Sequence, residues 1–143
     1  MNKYTIIIII AVLLVGGGVV YKKFLQPKGD APVNTGVVKE FTIISQKDKW
    51  NFNPEVIEVQ RGDRVKLTIV NEDSYDHGFA LTAYGISQRM PANGTIHVEF
   101  VASQLGEFAF ICSVPCGEGD VMMDNKKSHR THFDMVGKII VKA

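Results

Sequence analysis

Glu107-Phe108-Ala109-Phe110-Ile111-Cys112-Ser113-Val114-Pro115-Cys116-Gly117 is the stretch that decides the fold. After Gly106, an apolar run reads as a strand that delivers two cysteines into a loop broken by Pro115. Both cysteines of the chain stand here, four positions apart. His132 and Met135 follow at a spacing of three, and His77 lies far upstream at the head of another apolar run. Two thiolates, two imidazoles and a thioether make a ligand set for copper.

Outward from that stretch the pattern is β. Residues 64–70 alternate Val65, Leu67 and Ile69 against Arg64, Lys66 and Thr68, as a half-buried strand does. Residues 95–101 alternate Ile96, Val98 and Phe100 against Thr95, His97 and Glu99, which puts His97 on the solvent side. Further strands are expected over 38–44, 55–59, 77–81, 107–112 and 137–142, with turns at Arg61-Gly62-Asp63 and Pro91-Ala92-Asn93-Gly94. About seven short strands and no soluble helix predict an all-β, antiparallel Greek-key β-sandwich or barrel.

The N-terminus is different. Residues 4–20 are nearly all apolar, with Lys3 before them and Lys22-Lys23 after. That is the short end of the range for a single transmembrane helix. No small-x-small cleavage site stands out, so an uncleaved anchor is preferred to a signal peptide over 1–23. Residues 24–36 include QPKGDAPVNTG and read as a linker, leaving 37–143 as the folded domain. The chain has 143 residues and a net charge of +1, so charge gives no case for nucleic acid.

Trp50-Asn51-Phe52-Asn53-Pro54 with Arg61-Gly62-Asp63, Asn71 and His77 resembles the first half of a cupredoxin. The cysteine stretch, His132-x2-Met135 and Gly137-Lys138-Ile139-Ile140-Val141 resemble the second half. The Cys-x3-Cys-Gly form narrows the resemblance to the binuclear copper (CuA) domain of cytochrome c oxidase subunit II. The resemblance implies two copper ions bridged by Cys112 and Cys116, with His77 and His132 as terminal ligands. Met135 and the carbonyl of Val114 are the implied weak ligands. It further implies one-electron transfer with no catalytic residue in this chain, as the electron-entry subunit of an oxidase. The implied partners are the membrane, a cytochrome c or small cupredoxin donor, and an oxidase subunit. The copper domain would lie on the extracytoplasmic (periplasmic or extracellular) side. Aromatic residues near the loop take part in electron entry in that family, and Trp50 is the candidate here.

One departure stands out. The family pattern is Cys-x3-His-x2-Met, and that register falls on Asp120 and Met123. His132 comes only after fifteen intervening residues, so a twelve-residue insertion is expected between Gly117 and Thr131. Met135 leads into the final strand, whereas Met123 leads into Asp124-Asn125-Lys126-Lys127, read as loop. The added closure entropy is on the order of 1–1.5 kcal/mol, which metal ligation exceeds. Asp120, Met122, Met123 and His129 remain alternative donors within the insertion. Three other readings compete: a mononuclear cupredoxin carrier with one copper, a copper-binding or delivery protein, and a metal-free module closed by a Cys112–Cys116 disulfide.

Overall fold

The computed structural model describes residues 2–20 and 36–143. The linker expected over 24–36 therefore lies, apart from Gly36, outside the described residues, as do positions 21–23 of the expected anchor. The chain divides into two compact units, residues 1–31 and 32–143.

In the first unit, α1 runs Lys3–Val20. Its Ile7, Ile8, Val12, Leu13 and Leu14 are all exposed. Eighteen residues rise only ~27 Å, against a hydrocarbon layer of about 30 Å. Among the described residues, no helix is long and apolar enough to cross a membrane.

The second unit is a β-sandwich. One sheet has the order β2-β1-β4-β7 and the other β3-β11-β8-β5-β6. The first contains β1 (Val38–Ser45), β2 (Phe52–Asn53), β4 (Arg64–Asn71) and β7 (Thr95–Val101). The second contains β3 (Val56–Gln60), β5 (His77–Leu81), β6 (Ile86–Met90), β8 (Gly106–Ile111) and β11 (Val136–Lys142). The alternation read from the sequence fills the space between them: Val65, Leu67, Ile69, Val98 and Phe100 are buried, and His97 is exposed. Phe52, Phe79 and Phe110 form a mutually packed aromatic cluster, with ring centroids 5.3–6.1 Å apart. Such rings contribute both buried area and edge-to-face attraction.

The sheets are not wholly antiparallel as expected. β1 runs parallel to β4, from Val38 opposite Arg64 to Ser45 opposite Asn71. β3 likewise runs parallel to β11. The chain leaves β1, enters the other sheet as β3, and returns as β4 beside β1. That crossover makes the pair parallel without a helix. Alternation reports which face of a strand is buried and carries no information about its neighbour's direction.

The segment read as an extended loop after Gly117 is a β-hairpin. β9 (Glu118–Met123) pairs antiparallel with β10 (Lys126–Thr131). Asp124 and Asn125 form the turn with φ of 50° and 62°, the left-handed pair that two-residue hairpins use. The hairpin lies on Trp50: a Cβ on Gly119 would stand 2.6 Å from the indole Cη2. Only a glycine permits that approach.

Candidate metal centre

Four separate pieces of chain end at one pole of the sandwich. His77 opens β5, Cys112 follows β8, and the loop 112–117 carries Cys116. A 3-10 turn, His132–Asp134, follows β10, and Met135 stands between that turn and β11. Backbone bonds tie the pieces together without a metal. Cys112 N–H donates to the Met135 carbonyl at 3.0 Å, and His132 N–H donates to the Gly117 carbonyl at 2.9 Å. Gly78 lets the cysteine loop pack on β5, since a Cβ there would come within 2.9 Å of the Ser113 and Val114 nitrogens.

The turn that presents His132 is capped at both ends of its first residues. Thr131 Oγ1 accepts from Phe133 N–H at 3.2 Å, and Asp134 Oδ2 accepts from Thr131 N–H at 2.7 Å. This reciprocal pattern is a capping box. The hydrogen bond from Thr131 N–H holds the Asp134 carboxyl below the usual carboxylate range.

All six residues expected as donors converge. Cys112 Sγ and Cys116 Sγ stand 3.7 Å apart. His77 Nδ1 is 3.8 Å from Cys112 Sγ, and His132 Nδ1 is 3.5 Å from Cys116 Sγ. Met135 Sδ lies 3.6 Å from Cys116 Sγ, and the Val114 carbonyl oxygen 3.2 Å from Cys112 Sγ. His77 and Met135 are fully buried, and Cys112 is 3% exposed. His132 is half-buried, and its neighbour Phe133 is 84% exposed.

The alternative donors of the insertion are engaged elsewhere. His129 is exposed, with Nδ1 3.2 Å from Asp120 Oδ1 and Nε2 3.7 Å from Glu118 Oε2. Met123 Sδ receives Arg130 Nη1 at 3.4 Å, and Met122 is 63% exposed. Among the described residues, His77, Cys112 and Cys116 form the group of histidine, cysteine and carboxylate donors close enough to hold one metal ion.

The two thiols are free and share a proton unequally. A hydrogen bond from the Cys116 thiol pulls the Cys112 pKa far down against the opposing effect of burial. His77 and the Gly78 N–H, 3.3 Å from Cys112 Sγ, add to it. Cys116 is pushed up because the adjacent Cys112 sulfur holds its proton, and burial adds to that. Burial opposes a charge on His77, but Cys112 and Asp73 together outweigh it and raise its pKa.

Two residues support the donors from behind: Asp73, which carried no role in the sequence reading, and Trp50, which was expected only as an aromatic for electron entry. Asp73, fully buried, accepts from His77 Nε2 at 2.7 Å. Trp50 donates Nε1–H to the Cys116 carbonyl at 3.0 Å and stacks on Tyr75 at 6.5 Å between centroids. The spacing Asn71-x-Asp73-x3-His77 was the available signal for Asp73.

Soft sulfur with imidazole nitrogen at a buried pole fits copper better than any hard cation. Residues 23–123 match the model of the cupredoxin-like domain, and the chain belongs to that family. The cupredoxin fold implies copper, and the donor set just described fits it. The matched range ends before β10, His132 and Met135.

Among individual proteins, the chain is 30% identical over 94 residues to the nitrous-oxide reductase of Stutzerimonas stutzeri. That match covers 64% of this chain and only 13% of the reductase. The fold is similar to the periplasmic domain of cytochrome oxidase subunit II from Bradyrhizobium japonicum, with a TM-score of 0.54 and 18% identity. This alignment covers 71% of this chain and 82% of that one. It is equally similar to auracyanin A, a "blue" copper protein of Chloroflexus aurantiacus, with a TM-score of 0.55, 18% identity, and 73% and 99% coverage. The fold alone therefore does not choose between these two kinds of site.

Proposed function

We propose that this protein carries single electrons through a binuclear, CuA-type copper centre held by His77, Cys112, Val114, Cys116, His132 and Met135. The observation that carries the reading is the pairing of each sulfur with its own imidazole. His77 serves Cys112 at 3.8 Å and His132 serves Cys116 at 3.5 Å. A site for one metal ion would use both imidazoles, Met135 and a single thiolate, and would leave the second buried sulfur, 3.7 Å away, without a role. Copper held in this way supplies a one-electron couple.

The chain's own residues do the rest. The Cys112–Met135 and His132–Gly117 backbone bonds fix the donors from both sides, so little moves when the charge at the centre changes. Burial of Cys112, His77 and Met135 keeps water from the sulfurs. His132, the half-buried imidazole beside exposed Phe133, is where a partner comes nearest.

The same reading makes residues 1–23 a membrane anchor, 24–36 a tether and 37–143 the copper domain. The apolar, exposed side chains of α1 support the anchor. The domain then sits on the extracytoplasmic side. There it takes electrons from a cytochrome c or small cupredoxin and passes them to a membrane oxidase, with no catalytic residue of its own.

The test is copper loading of the full-length chain in detergent, with copper counted per chain and the EPR spectrum recorded. Two coppers sharing one unpaired electron are expected. One copper with a four-line pattern would sink the reading in favour of a mononuclear carrier. Tight Cu(I) binding with no Cu(II) signal would instead mark a delivery protein.

A further inference from the structure

We propose that Asp73 is a positioning residue of this centre: its carboxylate sets the tautomer and aim of His77 and ties that imidazole to the loop bearing Trp50. The inference rests on His77 being a copper ligand, as proposed above.

His77 Nε2 and Asp73 Oδ2 are 2.7 Å apart, with side chains 0% and 1% exposed. An ionised carboxylate only accepts hydrogen bonds. The proton of a neutral imidazole therefore sits on Nε2, and the free lone pair is on Nδ1. Nδ1 is the nitrogen that faces Cys112 Sγ. A carboxylate behind a metal-binding imidazole orients the ring and strengthens it as a donor.

The second carboxylate oxygen reaches another part of the frame. Asp73 Oδ1 accepts from Asp48 N–H at 2.7 Å. Asp48 and Trp50 have φ of 55° and 45°, so this loop is held in a conformation that non-glycine residues avoid. Trp50 in turn holds the Cys116 carbonyl. One carboxylate thus connects the His77–Cys112 side of the centre to the Cys116 side.

Asp73 is itself held. Its N–H donates to Asn71 Oδ1 at 3.0 Å, and its carbonyl accepts from Asn93 N–H at 2.8 Å. Asn71 Nδ2 donates to the carbonyls of Tyr75 and Pro91 at 2.9 and 3.0 Å. The carboxylate is therefore aimed by β4 and by the turn before β7 before any metal arrives.

The test uses nitrogen-15 NMR of the metal-free, full-length protein in detergent, then copper competition and potentiometry. In the wild type His77 is expected to carry a proton on Nε2, hydrogen-bonded to Asp73. In Asp73→Ala the Nε2–H loses its carboxylate partner, its resonance shifts, and the Trp50 indole resonance shifts with it. In Asp73→Asn, which keeps the volume, copper affinity falls about 10–100-fold and the reduction potential shifts upward as the negative charge is lost. A wild-type His77 whose Nε2 carries no proton overturns the proposal. So does a folded Asp73→Asn protein with unchanged affinity and potential. If Asp73→Ala does not fold, the wild-type tautomer and Asp73→Asn decide. The tautomer is read without copper, so a one-copper EPR spectrum would refute the binuclear reading while leaving this one standing.

Discussion

The indole N–H of Trp50 is hydrogen-bonded to the backbone carbonyl of Cys116, 3.0 Å away and across 66 positions of sequence. The bond joins the β1–β2 loop to the cysteine loop, so Trp50 supports the second sulfur from outside the donor set. It is also the chain's single tryptophan, which makes its fluorescence a reporter of this one place.

Replacing Trp50 by Phe keeps an apolar ring and removes the donor. A net loss of about 1 kcal/mol is expected from the bond alone. Denaturant unfolding of the metal-free protein measures it. An unchanged midpoint would mean the bond adds nothing to the frame.

Gly119→Ala places a methyl group against the Trp50 ring, where the nearest atom would be 2.6 Å away. Overpacking of this kind costs about 1–3 kcal/mol. The indole should tilt or leave its seat, and the Trp50 emission should move to longer wavelength. An unaltered emission spectrum would show that the hairpin does not press on the indole.

The two histidines near the end of the insertion should behave oppositely. His132→Ala is expected to abolish the copper spectrum, because its Nδ1 is the nitrogen beside Cys116 Sγ. His129→Ala should leave it unchanged, since that ring is engaged by Asp120 and Glu118. Electronic absorption and EPR of the loaded variants decide, and the reverse result would move the ligand register into the hairpin.

Acid should loosen the turn that carries His132. The Asp134 pKa is depressed by the Thr131 N–H and hydroxyl. A depressed carboxylate contributes its full stabilisation above the unfolded-chain pKa, near 4, and loses it as pH falls through the lower folded value. Exchange of the Thr131 and Phe133 amides should therefore accelerate below about pH 4. Asp134→Asn should show fast exchange at every pH. Equal protection in the two proteins would dismiss the capping box.

What was legible in the sequence follows from what is local. The inward faces of β4 and β7 were readable because burial alternates with the strand period. The parallel neighbours of β1 and β3 were not, because a crossover between sheets leaves no mark on either strand. β9 and β10 were missed because their exposed charges hide the alternation and only Val121 is buried. Asp124-Asn125 was the overlooked turn signal. The expected donors could be named because sulfur and imidazole are rare and chemically specific. Asp73 gained no role then, and the bond from Trp50 to the Cys116 carbonyl was not foreseen, because each acts through a partner that only the folded chain brings near.

The hairpin has a consequence for how this chain tolerates change. Glu118 is paired with Thr131 across its base, and Gly117 accepts from His132 just outside it. The path therefore comes back to its point of departure, and residues 118–131 form a side branch whose root is as narrow as a short turn. Growth or pruning at the tip can alter what the outer face of β9 and β10 presents to a visitor while the spacing at the root stays the same. A lineage could thus rewrite the approach to this pole without disturbing the atoms beneath it.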